Sequence, residues 1–280
     1  MTFPNAFRHM TKKRPLLLIL LTLLVCSCGE YAKVQESTDV MEKYQYAKKY
    51  YDEGDYRKSA ELLEVIVPYL TGSTYGEEAM YLLAQSYYHR KSYDSAYDTF
   101  KQYYNRYPNG QYDELSRFYA GYGLAQDVRD ARLDQEQTYM AMKELQSFLE
   151  HYPQSEKAEE AKQTLFDLQD HLALKELLNV ELYYNLGNYI FNNYESAIIT
   201  ARAALKDYPY SKYAEDIHYY IVASMYEVAK NSVISKQQSR LRELRDEYYN
   251  YINEFPEGKH RPQVETYFQY AEKNIKEDLS

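Results

Sequence analysis

The sequence predicts an all-α chain, an α-solenoid of about five helical hairpins closed by a C-terminal capping helix, and three observations carry that expectation. A small residue, a bulky residue four positions on and an aromatic-proline pair return together several times along the chain. Chain breakers are scarce, with 9 Gly and 8 Pro in 280 residues, fewer than a turn-rich β protein needs. The aromatic complement is 36 Tyr and 9 Phe with no Trp. Tyrosine joins a large packing face to a polar tip, which suits half-buried positions between thin helical layers.

The first element, residues 1–27, is expected to be removed. Lys12, Lys13 and Arg14 form a basic flank, and Leu16 to Val25 is an apolar run interrupted only by Thr22. Basic flank, short apolar run and small-residue cleavage site are the layout of a secretory signal. A run of about ten residues is too short for a hydrocarbon core that takes roughly 20 helical residues to cross. Met10 is an alternative start, because the residues before Thr11 add nothing a signal needs. Val25-Cys26-Ser27-Cys28 resembles the lipobox of bacterial lipoproteins, in which a small residue directly precedes the lipidated cysteine. Cys28 fits, since Ser27 is small, whereas Cys26 follows the branched Val25. Cys28 is therefore the expected lipidation site, no other cofactor is expected, and a chain starting there has no second cysteine for a disulfide. Each buried acyl CH₂ contributes about 0.8 kcal/mol, so a multiply acylated anchor is durable. Gly29 stands where an Asp, in many bacteria, signals inner-membrane retention, which favours the outer membrane. Residues 28–40 read as a short polar tether, because Glu30, Lys33, Gln35, Glu36, Ser37, Thr38 and Asp39 sustain no apolar period.

The repeats follow. Ala96-x3-Phe100 is followed eight residues on by Pro108, Ala141-x3-Leu145 by Pro153, Ala197-x3-Ala201 by Pro209, and Leu244-x3-Tyr248 by Pro256. An aromatic precedes each proline: Tyr107, Tyr152, Tyr208 and Phe255. An earlier copy, Ser59-x3-Leu63, runs on to Tyr69-Leu70 without the terminal proline. Tyr56, Tyr93 and Tyr194 lie three positions before the small residue in three copies. The small residue lets two helix backbones approach, the bulky one lies a turn further along the same face, and the proline stops the helix. This spacing resembles the tetratricopeptide repeat (TPR), whose hairpins bury their apolar faces only by stacking.

On this reading, residues 41–110 hold repeats 1 and 2, residues 111–172 hold repeat 3 and a linker helix, and residues 173–280 hold repeats 4 and 5 with the capping helix. The prolines are 45, 56 and 47 residues apart, beyond the roughly 34 of an isolated TPR. The extra length reads as longer helices, above all a nearly continuous helical pattern from Glu156 to Asn188. Pro262 to Lys276 reads as the closing amphipathic helix, with Val264, Tyr267, Phe268, Tyr270, Ala271 and Ile275 on its apolar positions.

Three stretches narrow the resemblance. They are Gly54-Asp55-Tyr56-Arg57-Lys58-Ser59-Ala60, then Arg132-Leu133-Asp134-Gln135 with Tyr152-Pro153-Gln154-Ser155, and Leu168-Gln169-Asp170-His171-Leu172-Ala173 with Glu181-Leu182-Tyr183-Tyr184. Together with the lipobox and the repeat order, the chain resembles the BamD (ComL) family, lipoproteins of the β-barrel assembly machinery. It departs in the insertion Asn188 to Asn193 and in its tyrosine content. The resemblance implies a periplasm-facing scaffold on the outer membrane that binds the POTRA region of BamA through its C-terminal repeats, from about Ala173 to Pro256. It also implies that unfolded outer-membrane β-barrel proteins are received by the N-terminal repeats, from about Met41 to Pro108. Tyr44, Tyr46, Tyr50, Tyr51, Tyr81, Tyr87 and Tyr88 are the candidates for that client groove, tyrosine being a rigid contact surface of low entropy cost. Plain packing between helices is the competing role for the same side chains.

Other function classes fare poorly. Removing residues 1–27 leaves 29 basic and 42 acidic residues, a net charge of −13 without the basic footprint that nucleic acid or anionic headgroups attract. His9, His89, His151, His171, His218 and His260 are scattered with no metal-ligand spacing, and neither a phosphate loop nor a nucleophile elbow is present, so no catalytic residue is expected. Glu77-Glu78 and Glu159-Glu160 read as solvated helix faces, since adjacent residues do not share one. Two alternatives stand beside the barrel-assembly reading. One is a generic periplasmic TPR adaptor in envelope maintenance. The other is a SusD-like glycan-binding lipoprotein, against which the chain length and the lack of Trp both count.

Overall fold

The computed structural model describes residues 29–189 and 191–276, and among these every regular element is an α-helix. A short helix α1 (29–36) precedes α2 (Val40–Asp52), α3 (Tyr56–Leu70), α4 (Gly76–His89), α5 (Tyr93–Arg106), α6 (Asp113–Ala125), α7 (Glu136–His151), α8 (Ala158–Leu186), α9 (Asn193–Asp207), α10 (Ala214–Lys230), α11 (Ile234–Glu254) and α12 (Arg261–Asn274). Within each unit consecutive helices pack as hairpins, and alternate helices also touch, α2 with α4 and α4 with α6 in one, α8 with α10 and α10 with α12 in the other. First helices of successive hairpins stacking on one another is the TPR arrangement that the spacing predicts. The hairpins are α2/α3, α4/α5, α8/α9 and α10/α11, with α12 as the cap, and α6 meets the end of α7. The signal segment and Cys28 lie outside the described residues.

The chain forms two compact units. One holds the residues up to Asp127 with Ser147–Ser155, and the other holds Val128–Gln146 and the residues from Glu156 on. In the first unit the core joins Tyr44, Ala47, Ala60, Leu63, Ala96 and Phe100, and the end of α7 packs Phe148 edge-on against Phe118 of α6 at 5.5 Å. In the second, Leu177 and Val180 of α8 meet Ala197, Ala201 and Ala204 of α9 and Ile217 and Ile221 of α10. A further cluster joins Val222, Leu241, Leu244, Tyr248 and Tyr251 to Val264, Tyr267 and Ala271 of the cap. The repeat-spacing residues Ser59, Leu63, Ala96, Phe100, Ala141, Leu145, Ala197, Ala201 and Tyr248 are all buried, whereas Pro108, Pro153, Pro209 and Pro256 are exposed in the turns.

Two expectations need correction. Residues 29–36 are helix and not a loose tether, because Tyr31 and Val34, one turn apart, are buried against the first unit's core. Two apolar residues at i, i+3 are too few to register as a period over a polar dozen, yet they suffice once α2 and α3 offer a surface. The boundary expected between Leu172 and Ala173 falls inside α8, which runs unbroken for 29 residues with both of those side chains buried.

Local chemistry accounts for the ends. Asp39 caps α2 by accepting from the amides of Met41 and Glu42 at 2.8 and 3.1 Å, and Asp55 caps α3 by accepting from that of Lys58 at 3.2 Å. At the other end, Tyr107, Tyr208 and Phe255 share one conformation, with φ of −125, −130 and −126° and ψ of 63, 57 and 67°. A following proline pushes its predecessor out of the helical region, so the aromatic closes the last turn and the helix stops. Two residues after each proline stands Gly or Ser, and there a carboxylate from the hairpin's first helix seizes the turn. Glu77 accepts from Tyr103 Oη and the Gln111 amide, each at 2.5 Å, and Glu215 accepts from Tyr251 Oη at 2.8 Å and the His260 amide at 3.0 Å. Ser155 Oγ donates to Glu114 at 2.5 Å and Ser211 Oγ to Asp170 at 2.7 Å. A Cβ on Gly110 or Gly258 would lie 2.4 Å from Glu77 or 2.7 Å from Glu215, so only glycine leaves room where tyrosine and carboxylate close over the turn.

Candidate interaction surfaces

In the first unit the side chains left half-buried by hairpin packing form an aromatic face across α2, α4 and α6. Tyr81 stacks on Tyr112 at 4.2 Å with planes 5° apart, Tyr88 meets Tyr119 at 4.9 Å, and Tyr56 stacks on His89 at 4.3 Å. Tyr51 stands edge-on to Tyr56 at 5.4 Å. Burial, and then the neighbouring phenols of Tyr56 and Tyr119, push the Tyr51 hydroxyl up to about 12, and burial raises Tyr81 further. These hydroxyls therefore remain protonated donors at any physiological pH. An aromatic face with donors at its rim can hold apolar side chains and backbone carbonyls of an extended peptide.

This face overlaps the expected client groove only in part. Tyr44 and Tyr50 are buried, at 1% and 3% exposure, and are removed from the groove. Both lie on the side of α2 that meets the core, and the Tyr44 hydroxyl is bound to Glu78. Tyr46 and Tyr87 are half-buried but turn elsewhere, donating to Glu30 at 3.0 Å and to Glu64 at 2.8 Å. Tyr81 and Tyr88 lie on this aromatic face, one full heptad apart on α4. Tyr112 and Tyr119 complete the face and were not among the expected residues. They sit one heptad apart, Tyr112 just before α6 and Tyr119 within it, a signal that pairing the repeats by their first helices exposes.

The second unit offers different surfaces. A cleft of about 300 Å³ lies among α9, α10 and α11, floored by Ile198, Met225 and Val228 and rimmed by Glu195, Arg202, Arg240 and Glu243. Beneath it Arg202 Nη2 reaches Glu247 at 2.6 Å, and His218 presents Nε2 to Glu247 at 2.9 Å and Nδ1 to Glu254 at 3.1 Å. Burial opposes ionisation of Glu247, but the hydrogen bonds from His218 and Arg202 outweigh it and hold the carboxyl down to about 2. The described residues of the insertion after α8 are gathered around Asn193. Asn193 Nδ2 donates to the carbonyls of Gly187, Tyr189 and Phe191 at 3.1, 2.9 and 3.3 Å, leaving the Tyr189 and Phe191 rings 72% and 78% exposed.

Helical hairpins with carboxylate-fastened turns, an aromatic face in one unit and an amphipathic cleft in the other define a TPR-like repeat protein. No described helix is long and apolar enough to cross a membrane. Residues 36–192 match the YfiO family model, described as outer membrane lipoprotein, and since that stretch is more than half of the chain, the chain belongs to this family. It is the family that the repeat motifs resembled under the name BamD. A comparison with curated proteins gives no match.

Proposed function

We propose that this chain is a non-catalytic scaffold lipoprotein of the outer-membrane β-barrel assembly machinery, anchored by acyl groups on Cys28 and facing the periplasm. Its C-terminal repeats bind the POTRA region of BamA, and its N-terminal repeats receive unfolded barrel proteins. Membership of the outer membrane lipoprotein family across residues 36–192 carries this reading. The two faces support the division of labour. The tyrosines of α2, α4 and α6 suit an extended client of varied sequence, whereas the cleft of α9–α11, with paired charges around an apolar floor, suits one folded partner.

The test is extraction of the full chain in mild detergent and identification of what co-purifies. BamA is the expected partner, and a different stable partner in its place refutes the assignment. Metabolic labelling with palmitate tests the anchor, and labelling that survives Cys28→Ser refutes Cys28 as its site.

A further inference from the structure

Helix α1 is held on three sides. The Tyr31 ring stands edge-on to Tyr50 at 5.7 Å, with Lys58 over it at 5.6 Å and its hydroxyl bound to Glu61. Glu30 accepts from Tyr46 Oη at 3.0 Å, and the buried Lys43 donates to the Gln35 carbonyl at 2.9 Å. The contacts also fix direction. The start of α1 lies beside Tyr46, Lys49, Tyr50 and Lys58, next to the α2–α3 turn, while its end lies beside Lys43.

This leaves almost no slack. From Cys28 to Tyr31, the first buried side chain, the chain spans at most about 10 Å, whereas a loose tether over residues 28–39 would reach about 40 Å. We propose that α1 works as a rigid strut that keeps the α2–α3 turn edge of the first unit against the phospholipid headgroups, so that the N-terminal repeats are presented in a fixed orientation at the bilayer surface. The proposal rests on the acylation of Cys28 argued above. The cations at this edge do not form a free basic patch: Lys49 pairs with Glu30, Arg57 with Glu61 and Lys58 with Asp55. Orientation comes from the covalent leash and not from attraction to anionic lipid, so it does not depend on salt or on headgroup charge.

The full lipidated chain, carrying a thiol-reactive fluorophore at D52C or at T74C, is placed in vesicles that contain a headgroup-nitroxide phospholipid. Asp52 lies at the α2–α3 edge and Thr74 at the other end of α3, about 22 Å away for a 15-residue helix. Quenching at Asp52 is expected to exceed that at Thr74 by about threefold or more, equally in neutral and anionic vesicles, because the two sites differ by that helix length. Insertion of twelve Gly/Ser residues between Gly29 and Glu30 is expected to abolish the difference while vesicle binding and helicity persist. Equal quenching of the two sites in the uninserted chain overturns the strut although the anchor stands, and so does a difference that survives the insertion. Failure of the unmutated chain to partition into vesicles overturns the anchor itself, and the strut falls with it.

Discussion

Replacing Glu247 by Gln removes one charge from the centre of the second unit while preserving its shape. Glu247 and His218 are 5% and 4% exposed, and the carboxylate is held by Arg202 at 2.6 Å and His218 at 2.9 Å. Its pKa falls from 4.5 to about 2 on folding. At about 1.4 kcal/mol per unit, that shift corresponds to on the order of 3 kcal/mol of stability, at the lower end of the roughly 3–5 kcal/mol expected for breaking a buried pair. The shift is a depression, so the contribution is complete above the unfolded value of 4.5 and is lost as pH falls towards 2. By pH 3 about 2 kcal/mol of it is gone, because the unfolded carboxyl is then protonated and the folded one is not. Urea unfolding of wild type and E247Q, followed in parallel by far-ultraviolet circular dichroism, should show a difference of about 3 kcal/mol at pH 7 that shrinks to about 1 kcal/mol at pH 3. Taking the difference between the two chains cancels the other carboxylates that titrate in this range. A gap that stays constant with pH, or is negligible at pH 7, refutes the reasoning.

The Tyr50 hydroxyl is buried with no hydrogen-bond partner among the described residues, so Y50F should be neutral or stabilising by up to about 1 kcal/mol in the same urea assay, and a clear loss of stability contradicts that accounting. G110A and G258A should each cost about 1–3 kcal/mol, because the new methyl enters the space where tyrosine and carboxylate close over the turn. The melting temperature of each variant checks this, and G29A, whose Cβ meets nothing within 4 Å, is the control expected to be silent.

Much of the fold was legible because its signals are local. A small residue four positions before a bulky one, followed by an aromatic-proline pair, encodes a close helix contact and a helix stop, and Ala96, Phe100 and Tyr107 each do what that spacing requires. Helix α1 was illegible because Tyr31 and Val34 acquire meaning only against Tyr50 and Ala47, residues supplied by the next helix. The tyrosine face was half legible for a related reason. Tyr44 and Tyr51 sit one heptad apart and so on nearly the same side of α2, and what separates them is the neighbour each meets, Glu78 of α4 for Tyr44 and Tyr56 at the start of α3 for Tyr51. The carboxylates that fasten the turns were hidden by distance, since Glu77 and Gln111 are 34 residues apart, and Glu77-Glu78 had read as a solvated face.

Those fasteners separate two properties that a stacked array usually couples. Each joins a first helix to the turn after the second, from the second residue of the helix for Glu77, Glu114 and Glu215 and from the middle of α8 for Asp170. In the 29-residue α8 the extra length runs before the fastener, from Ala158 up to Asp170, and Asp170 still grips Ser211 at 2.7 Å. Hairpins of unequal length can thus share one kind of fastener, because the carboxylate is placed level with the turn it holds and the helix is free to begin earlier.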